Sequence, residues 1–365
     1  MDKLDRDIWC LLGLPFDAID LETTVDKVHE AAKNKTPCFI STPNLNFLIA
    51  SQKDGVFRDS VINSDISIAD GKPLVWIARL LGIPIPERVA GSDLIETLIE
   101  NKKGYKPLNI FFFGGEDGVA QLASEKLNSE KKGLRCVGFY NPGFGSLDDM
   151  SSTEIIDKIN QSNADFIIVS LGAKKGQAWI GHNRSKLNAT LISHLGAVVN
   201  FIAGNVSRAP KILQKTGFEW LWRIKEEPKL LSRYWNDGVA LIQLIILKVL
   251  PLFHLINKFK SFSTENKTKI IEMNGSVIFY CDGYYGYKNN LQTVKLFEKS
   301  ILNSSNVKIV LSDKSYIDSA FLGTLIQLRK QLNINGKSIY IESKSKTINK
   351  IIRHSCCDYF LENIN

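Results

Sequence analysis

The chain has 365 residues and a mass of 41.0 kDa, room for two or three domains of about 150 residues. Its 44% hydrophobic and 23% charged residues are an ordinary globular mixture, which excludes collagen-like and wholly disordered chains. A net charge of +8 and a pI near 9.0 favour an anionic partner: nucleic acid, a phosphate-bearing substrate or a membrane surface.

The opening MDKLDRDIWC is charged where a signal peptide needs an apolar core, so export is not expected. Six cysteines (Cys10, Cys38, Cys136, Cys281, Cys356, Cys357) lack C-x-x-C spacing and sit mostly in apolar runs. That pattern argues against a metal cluster or a secreted disulfide scaffold and for a reducing cytoplasm. CFIST (38–42), NIFFFGG (109–115), LRCVGF (134–139) and ADFIIVSLG (164–172) have the composition of strands buried on both faces. Segments of helical period such as DGVAQLASEKL separate them. The alternation predicts an α/β domain over 1–204, a mostly parallel sheet with helices on both faces.

Within it, TPNLNF sets Thr42, Asn44 and Asn46 just after a buried strand, where their hydroxyl and amides suit a sugar or ribose. Capping and turn formation are the alternative. Asp70, in ISIADGKPL, stands where an apolar run ends, the usual ligand position in an open α/β sheet. A partly desolvated carboxylate there suits a general base. It also suits a helix N-cap, since Gly71, Lys72 and Pro73 follow. Arg88, in PERVAG, fits a phosphate or a surface ion pair. Gly114, Gly115 and Gly118 mark a strand-to-helix turn that could admit a diphosphate, or a tight turn that simply needs glycine. His194 lies among apolar residues and is expected to be a satisfied core histidine. No catalytic triad, zinc pattern or Walker loop is evident, and no DxD motif stands around the candidate strand ends, so a metal-free, cofactor-free mechanism is expected.

Residues 203–262 carry ten Lys/Arg against four acids. Inside them runs VALIQLIILKVLPLFHLI (239–256), interrupted by Gln243, Lys248, Pro251 and His254. Those interruptions argue against a spanning helix, which wants about 20 apolar residues. With Trp220, Trp222, Tyr234 and Trp235 nearby, the stretch 205–257 suggests a basic, apolar appendage lying in a membrane interface; a core helix between domains is the alternative. KFKSFSTENKTK (258–269) has the polarity of a linker. Beyond it, 270–365 alternates three strand-like runs (SVIFYCDG, NVKIVLSD, KSIYIES) with three helical ones, a second and smaller α/β unit.

Five segments then fall in a telling order: TPNLNF, SIADGKPLVWIARLLGIPIPERVAGSDL, NIFFFGGEDGVAQLASEKL, FIIVSLGAKKGQAWI and NFIAGNVSRAPKILQKTGFEWLWRIKEEPKLLSRY. Together, over about residues 8–237, they resemble the WecG/TagA/CpsF glycosyltransferases, glycosyltransferase family 26. The resemblance implies a Rossmann-like domain and an inverting transfer in bacterial cell-surface polysaccharide assembly. A sugar related to N-acetylmannosamine would pass from UDP to a polyprenyl-diphosphate-linked sugar on the cytoplasmic face of the membrane. It implies that Asp70 is the general base, that Thr42, Asn44 and Arg88 belong to the catalytic site, and that Arg223 and Arg233 reach it from the appendage. A third appendage arginine of the family falls on Leu230, beside Lys229. The family's GxPKQE segment is here Gly172 to Gln177, with Gly176 at the glutamine position and Gln177 at the glutamate position, so Gln177 is a candidate for substrate binding. Asn200 replaces a common aspartate.

The tail VKIVLSDKSYIDSAFLGTLIQLRKQLNINGKSIYI resembles STAS domains. The resemblance implies a protein partner and, at Ser319, the serine phosphorylated in regulatory members, with a plain helix cap as the alternative. A second functional reading is a non-catalytic nucleotide-sugar sensor that signals through this unit. A nucleic-acid partner would leave the apolar stretch at 239–256 without a use and ranks last.

Overall fold

The computed structural model describes residues 6–259, 266–273, 276–301 and 306–361. Two short strands, β1 (Ile8–Leu11) and β2 (Leu14–Asp17), form an antiparallel hairpin buried along its whole length. Six more form the main sheet: β3 (Cys38–Ser41), β4 (Ile66–Ser67), β5 (Leu108–Gly114), β6 (Leu134–Tyr140), β7 (Phe166–Ser170) and β8 (Leu191–His194). Their order is β4-β3-β8-β7-β5-β6 and every pairing is parallel. The apolar runs expected as strands are therefore strands, and β8 joins them between β3 and β7.

Parallel strands need both faces covered, and two apolar clusters do this. Val28, Ile40, Leu94, Ile110 and Ile168 belong to one, Phe39, Phe113, Ile167 and Trp179 to the other. Successive strands depart in opposite directions from β3, since β4 lies on one side of it and β5 to β8 on the other. Such a switch opens a crevice at the carboxyl ends of the strands.

The basic segment is helical. Glu219–Glu226 is a short helix, and Pro228–Lys258 is a continuous helix of 31 residues. It is long and apolar enough to cross a membrane, contrary to the expectation drawn from its interruptions. A π-type turn over Ile245–Val249 absorbs Pro251, whose ring cannot fit a regular α-turn and which has no N–H to give. The helix is 11% buried along its apolar window. Its first part lies on the helix Leu45–Lys53 and its last part on the helix Lys346–His354.

Beyond it, β9 (Lys267–Met273), β10 (Ser276–Asp282), β12 (Asn306–Leu311) and β14 (Ile339–Ser343) form a four-stranded sheet, while β11 (Tyr284–Tyr285) pairs with β13 (Tyr316–Ile317). Helices Asn290–Ile301, Ser319–Ile334 and Lys346–His354 accompany them. Of the expected linker, 260–265 lies outside the described residues; Lys258 ends the long helix and Lys267 to Lys269 open β9.

The two α/β units share one core. Trp9, Leu12, Phe16, Phe47 and Phe57 of the front join Phe279, Phe321, Leu325, Ile352 and Phe360 of the tail, with Val249 and Leu252 of the long helix between. Returning one such side chain to water costs about 1.5–3 kcal/mol. A cut at residue 204 would thus uncover much of the hairpin.

Candidate active site

A cleft of about 910 Å³ opens at the carboxyl ends of β3, β4, β7 and β8, with the appendage as its far wall. Thr42, Asn44, Asp70, Arg88, Arg223 and Arg233 all line it. Thr42 follows β3 directly and is buried. Asn44 caps the next helix, its Oδ1 accepting from the Phe47 amide at 3.2 Å, so the capping reading holds even as the residue faces the cleft. Asn46 reaches across the gap, donating to Asp237 of the long helix at 3.4 Å.

Asp70 does not cap a helix. The helix Lys72–Leu80 is capped by Gly71, with no side-chain cap bond. The carboxyl instead sits in a poorly solvated pocket, and burial is the main reason its pKa rises from 3.8 to about 6. Arg88 pulls it down, Glu219 and Asp93 push it up, and a hydrogen bond from the Gly91 amide pulls it down. A carboxyl tuned near neutral in a cleft suits proton abstraction.

Arg88 is neither a free phosphate seat nor a surface pair. Its guanidinium donates to Asp93 at 2.7 Å and to Glu219 at 2.6 Å, with 11% of the side chain exposed. Arg208 completes the chain of charges by pairing with Asp93 and Glu96. Glu219 therefore ties the appendage to the front sheet. Four residues on along the same helix, Arg223 lies over the Phe201 ring, 4.5 Å from its centroid. The sequence shows this spacing in EWLWR, but nothing local to it names Arg88 as the partner 131 residues away.

Four expected binding residues fall outside the cleft lining. Gly114 and Gly115 have φ values of +92° and +97°, and a side chain on Gly114 would strike the Ser170 carbonyl. Their glycines serve the turn. Gly118 begins the helix Val119–Glu130 in a left-handed conformation. Gln177 is 1% exposed and turns inward, its amide donating to the Ser41 hydroxyl at 3.3 Å. From the same segment, Gly172 and Ala173 do border the cleft. His194 is buried with Nε2 against the Leu171 carbonyl, and burial lowers its pKa, as a satisfied histidine should behave; its ring also borders the cleft. Ser319 is not a cap: Asp318 caps its helix, and the Ser319 hydroxyl donates to the Cys10 carbonyl of β1.

A doubly wound sheet with a carboxylate at its switch point and arginines above it is an α/β fold with its cleft where such sheets take ligands. The chain belongs to the glycosyl transferase WecG/TagA/CpsF family, whose model matches residues 9–253, and the protein is a glycosyltransferase. It is similar to the N-acetylglucosaminyldiphosphoundecaprenol N-acetyl-beta-D-mannosaminyltransferases of Bacillus spizizenii and Bacillus subtilis. The first is 27% identical over 57% of this chain and 76% of the relative, the second 26% over 59% and 82%. The Staphylococcus aureus enzyme of the same name is 22% identical over 61% of this chain and 86% of the relative.

Proposed function

We propose that the enzyme transfers an N-acetylmannosamine-like sugar, or a related hexose, from a UDP-sugar to a polyprenyl-diphosphate-linked sugar, with inversion. The reading rests most on one observation: a single cleft joins a carboxylate of raised pKa to an apolar helix face. Leu231, Trp235, Val239 and Ile242 line the cleft on that face and are exposed beyond it. A lipid diphosphate needs such a site, polar at the reacting sugar and apolar where its chain departs. Asp70 takes the proton of the acceptor hydroxyl as it attacks the anomeric carbon from the side opposite UDP. Arg223 and Arg233 then meet the charge growing on the leaving diphosphate. Arg88 holds the appendage in place through Glu219, and Thr42 and Asn44 orient the sugars. Incubation with UDP-N-acetylmannosamine and a prenyl-diphosphate-linked N-acetylglucosamine should give the β-linked disaccharide lipid. Tight UDP-sugar binding without transfer would favour the sensor reading instead.

The helix face also argues for attachment along the plane of the membrane, at its cytoplasmic surface. Leu231, Trp235, Val239, Ile242, Ile246 and Leu250 recur every three or four residues and are all exposed, while the opposite side lies on protein at both ends. Basic residues beside an anionic leaflet add about 1 kcal/mol each. Replacing Arg223, Lys229 and Arg233 with glutamine should weaken flotation with anionic vesicles and barely alter it with neutral ones. Equal loss on both would assign these residues to the fold, and no flotation of the wild type would end the membrane reading. We read the tail as a STAS-like unit.

A further inference from the structure

We propose that the C-terminal unit is an internal platform: it docks on the β1–β2 hairpin and grips the end of the long helix, and so holds the appendage closed over the cleft before any membrane is met. The first half of the appendage is held by polar and ring contacts (Glu219 on Arg88, Asp237 on Asn46, Arg223 on Phe201) and has no buried apolar anchor of its own. Neither Glu219–Glu226 nor Leu231–Leu244 contains a fully buried side chain. The anchor lies further on, where Val249 and Leu252 are buried in the shared core and Lys248 donates to the Arg353 carbonyl at 2.8 Å. The helix is continuous from Pro228 to Lys258, so fixing its far end bears on the position of Asp237 against Asn46 and of the cleft wall.

The platform is fastened to the front at several points. The helix Ser319–Ile334 runs along β1 so closely that a Cβ at Gly323 would overlap the Ile8 carbonyl. Lys330, 7% exposed, donates to the Ser64 carbonyl at 2.8 Å and to Asp65 at 2.6 Å. Tyr359 donates to the Gly13 carbonyl at 3.0 Å. Cys10 and Cys357 meet across the contact, their sulfurs 3.4 Å apart. Ser319, the position that the resemblance marks for modification, thus lies against the chain's own hairpin.

Gly323→Leu tests this in the full chain. Leucine favours the helix it joins but has no room at β1, so it should part the units without unfolding either. Cys10, Cys356 and Cys357, all buried in the shared core, should become reactive to a maleimide, while Cys38 and Cys136, buried in a core of the front unit alone, stay protected. Hydrogen exchange across 228–258 should rise. Resting on the transferase reading, turnover of a short-chain acceptor in lipid-free buffer should fall on the order of 10²-fold, the scale of misplaced catalytic groups. Anionic vesicles should restore part of it. Thiols that stay protected, or exposed thiols with unchanged exchange and turnover, would overturn the proposal. If the variant fails to fold, wild-type exchange in lipid-free buffer decides: protection of 231–244 equal to that of 319–334 supports the platform, and free exchange overturns it. A wild type that transfers no sugar would remove the transferase reading, while the thiol and exchange results would still judge the platform.

Discussion

Asp70→Asn is expected to lower kcat by ~10²–10⁴-fold, the usual worth of a general base, while the fold persists. The amide keeps the shape of the carboxyl but cannot take a proton. Stability should move the other way. The folded chain holds the Asp70 proton up to about pH 6, against an ordinary 3.8, so between these values it binds more proton than the unfolded chain. Ionising Asp70 therefore destabilises the fold as the pH rises through that window, and the asparagine variant escapes the loss. Because Asp70 faces an open cleft, its gain at pH 7 should be on the order of 1–2 kcal/mol. Denaturant melts of both proteins at pH 4 and pH 7, with rates measured alongside, check the two halves. Near-normal turnover in the folded variant would remove Asp70 from its role.

Arg88→Met should be the most damaging single change outside the base. It leaves Asp93 and Glu219 facing each other and Asp70 without their shared cation, and breaking such a buried pair costs about 3 kcal/mol. It should also move the acid limb of the kcat/KM profile upward in pH, because Arg88 is what draws the Asp70 pKa down. Glu219→Gln should move the same limb downward, since Glu219 pushes that pKa up. Opposite displacements in the two variants are the expected result. Limbs that shift together would mean that the charges around Asp70 do not set its ionisation.

The sheet was legible because strands buried on both faces leave continuous apolar runs such as NIFFF and FIIVS. LISH hides its strand: it is four residues long, and its serine and histidine are satisfied by the carbonyls of Ile40 and Leu171. IWCLLGLPFD shows no alternation, because the hairpin is covered on one side by its own domain and on the other by a helix more than 300 residues away. Asp70 could be placed at a strand end but not separated from a cap, since the difference lies in which residue turns the backbone. Arg88 posed a harder problem. Asp93 is only five residues on, but Glu219 is 131 residues away, and charge pairing over that distance leaves no local mark. For Gln177 and the glycine turn, a motif position indicated the neighbourhood of the site but not the direction in which the side chain faces.

The Lys330 ammonium has a consequence for how such a chain can be recombined. Its partner Asp65 also pairs with Arg184 at 2.7 Å and accepts the Phe39 amide of β3 at 2.8 Å. One carboxylate thereby joins the tail, a loop of the front unit and the strand that leads into Thr42. A tail transplanted onto another front domain would bring a lysine needing a carboxylate and a glycine needing a backbone pressed against it. A front domain stripped of its tail would keep Asp65 and a bare hairpin. The two halves are matched like lock and key within one polypeptide, so chimeras made by exchanging the tail as a cassette should fold only when the hairpin and the Asp65 neighbourhood travel with it.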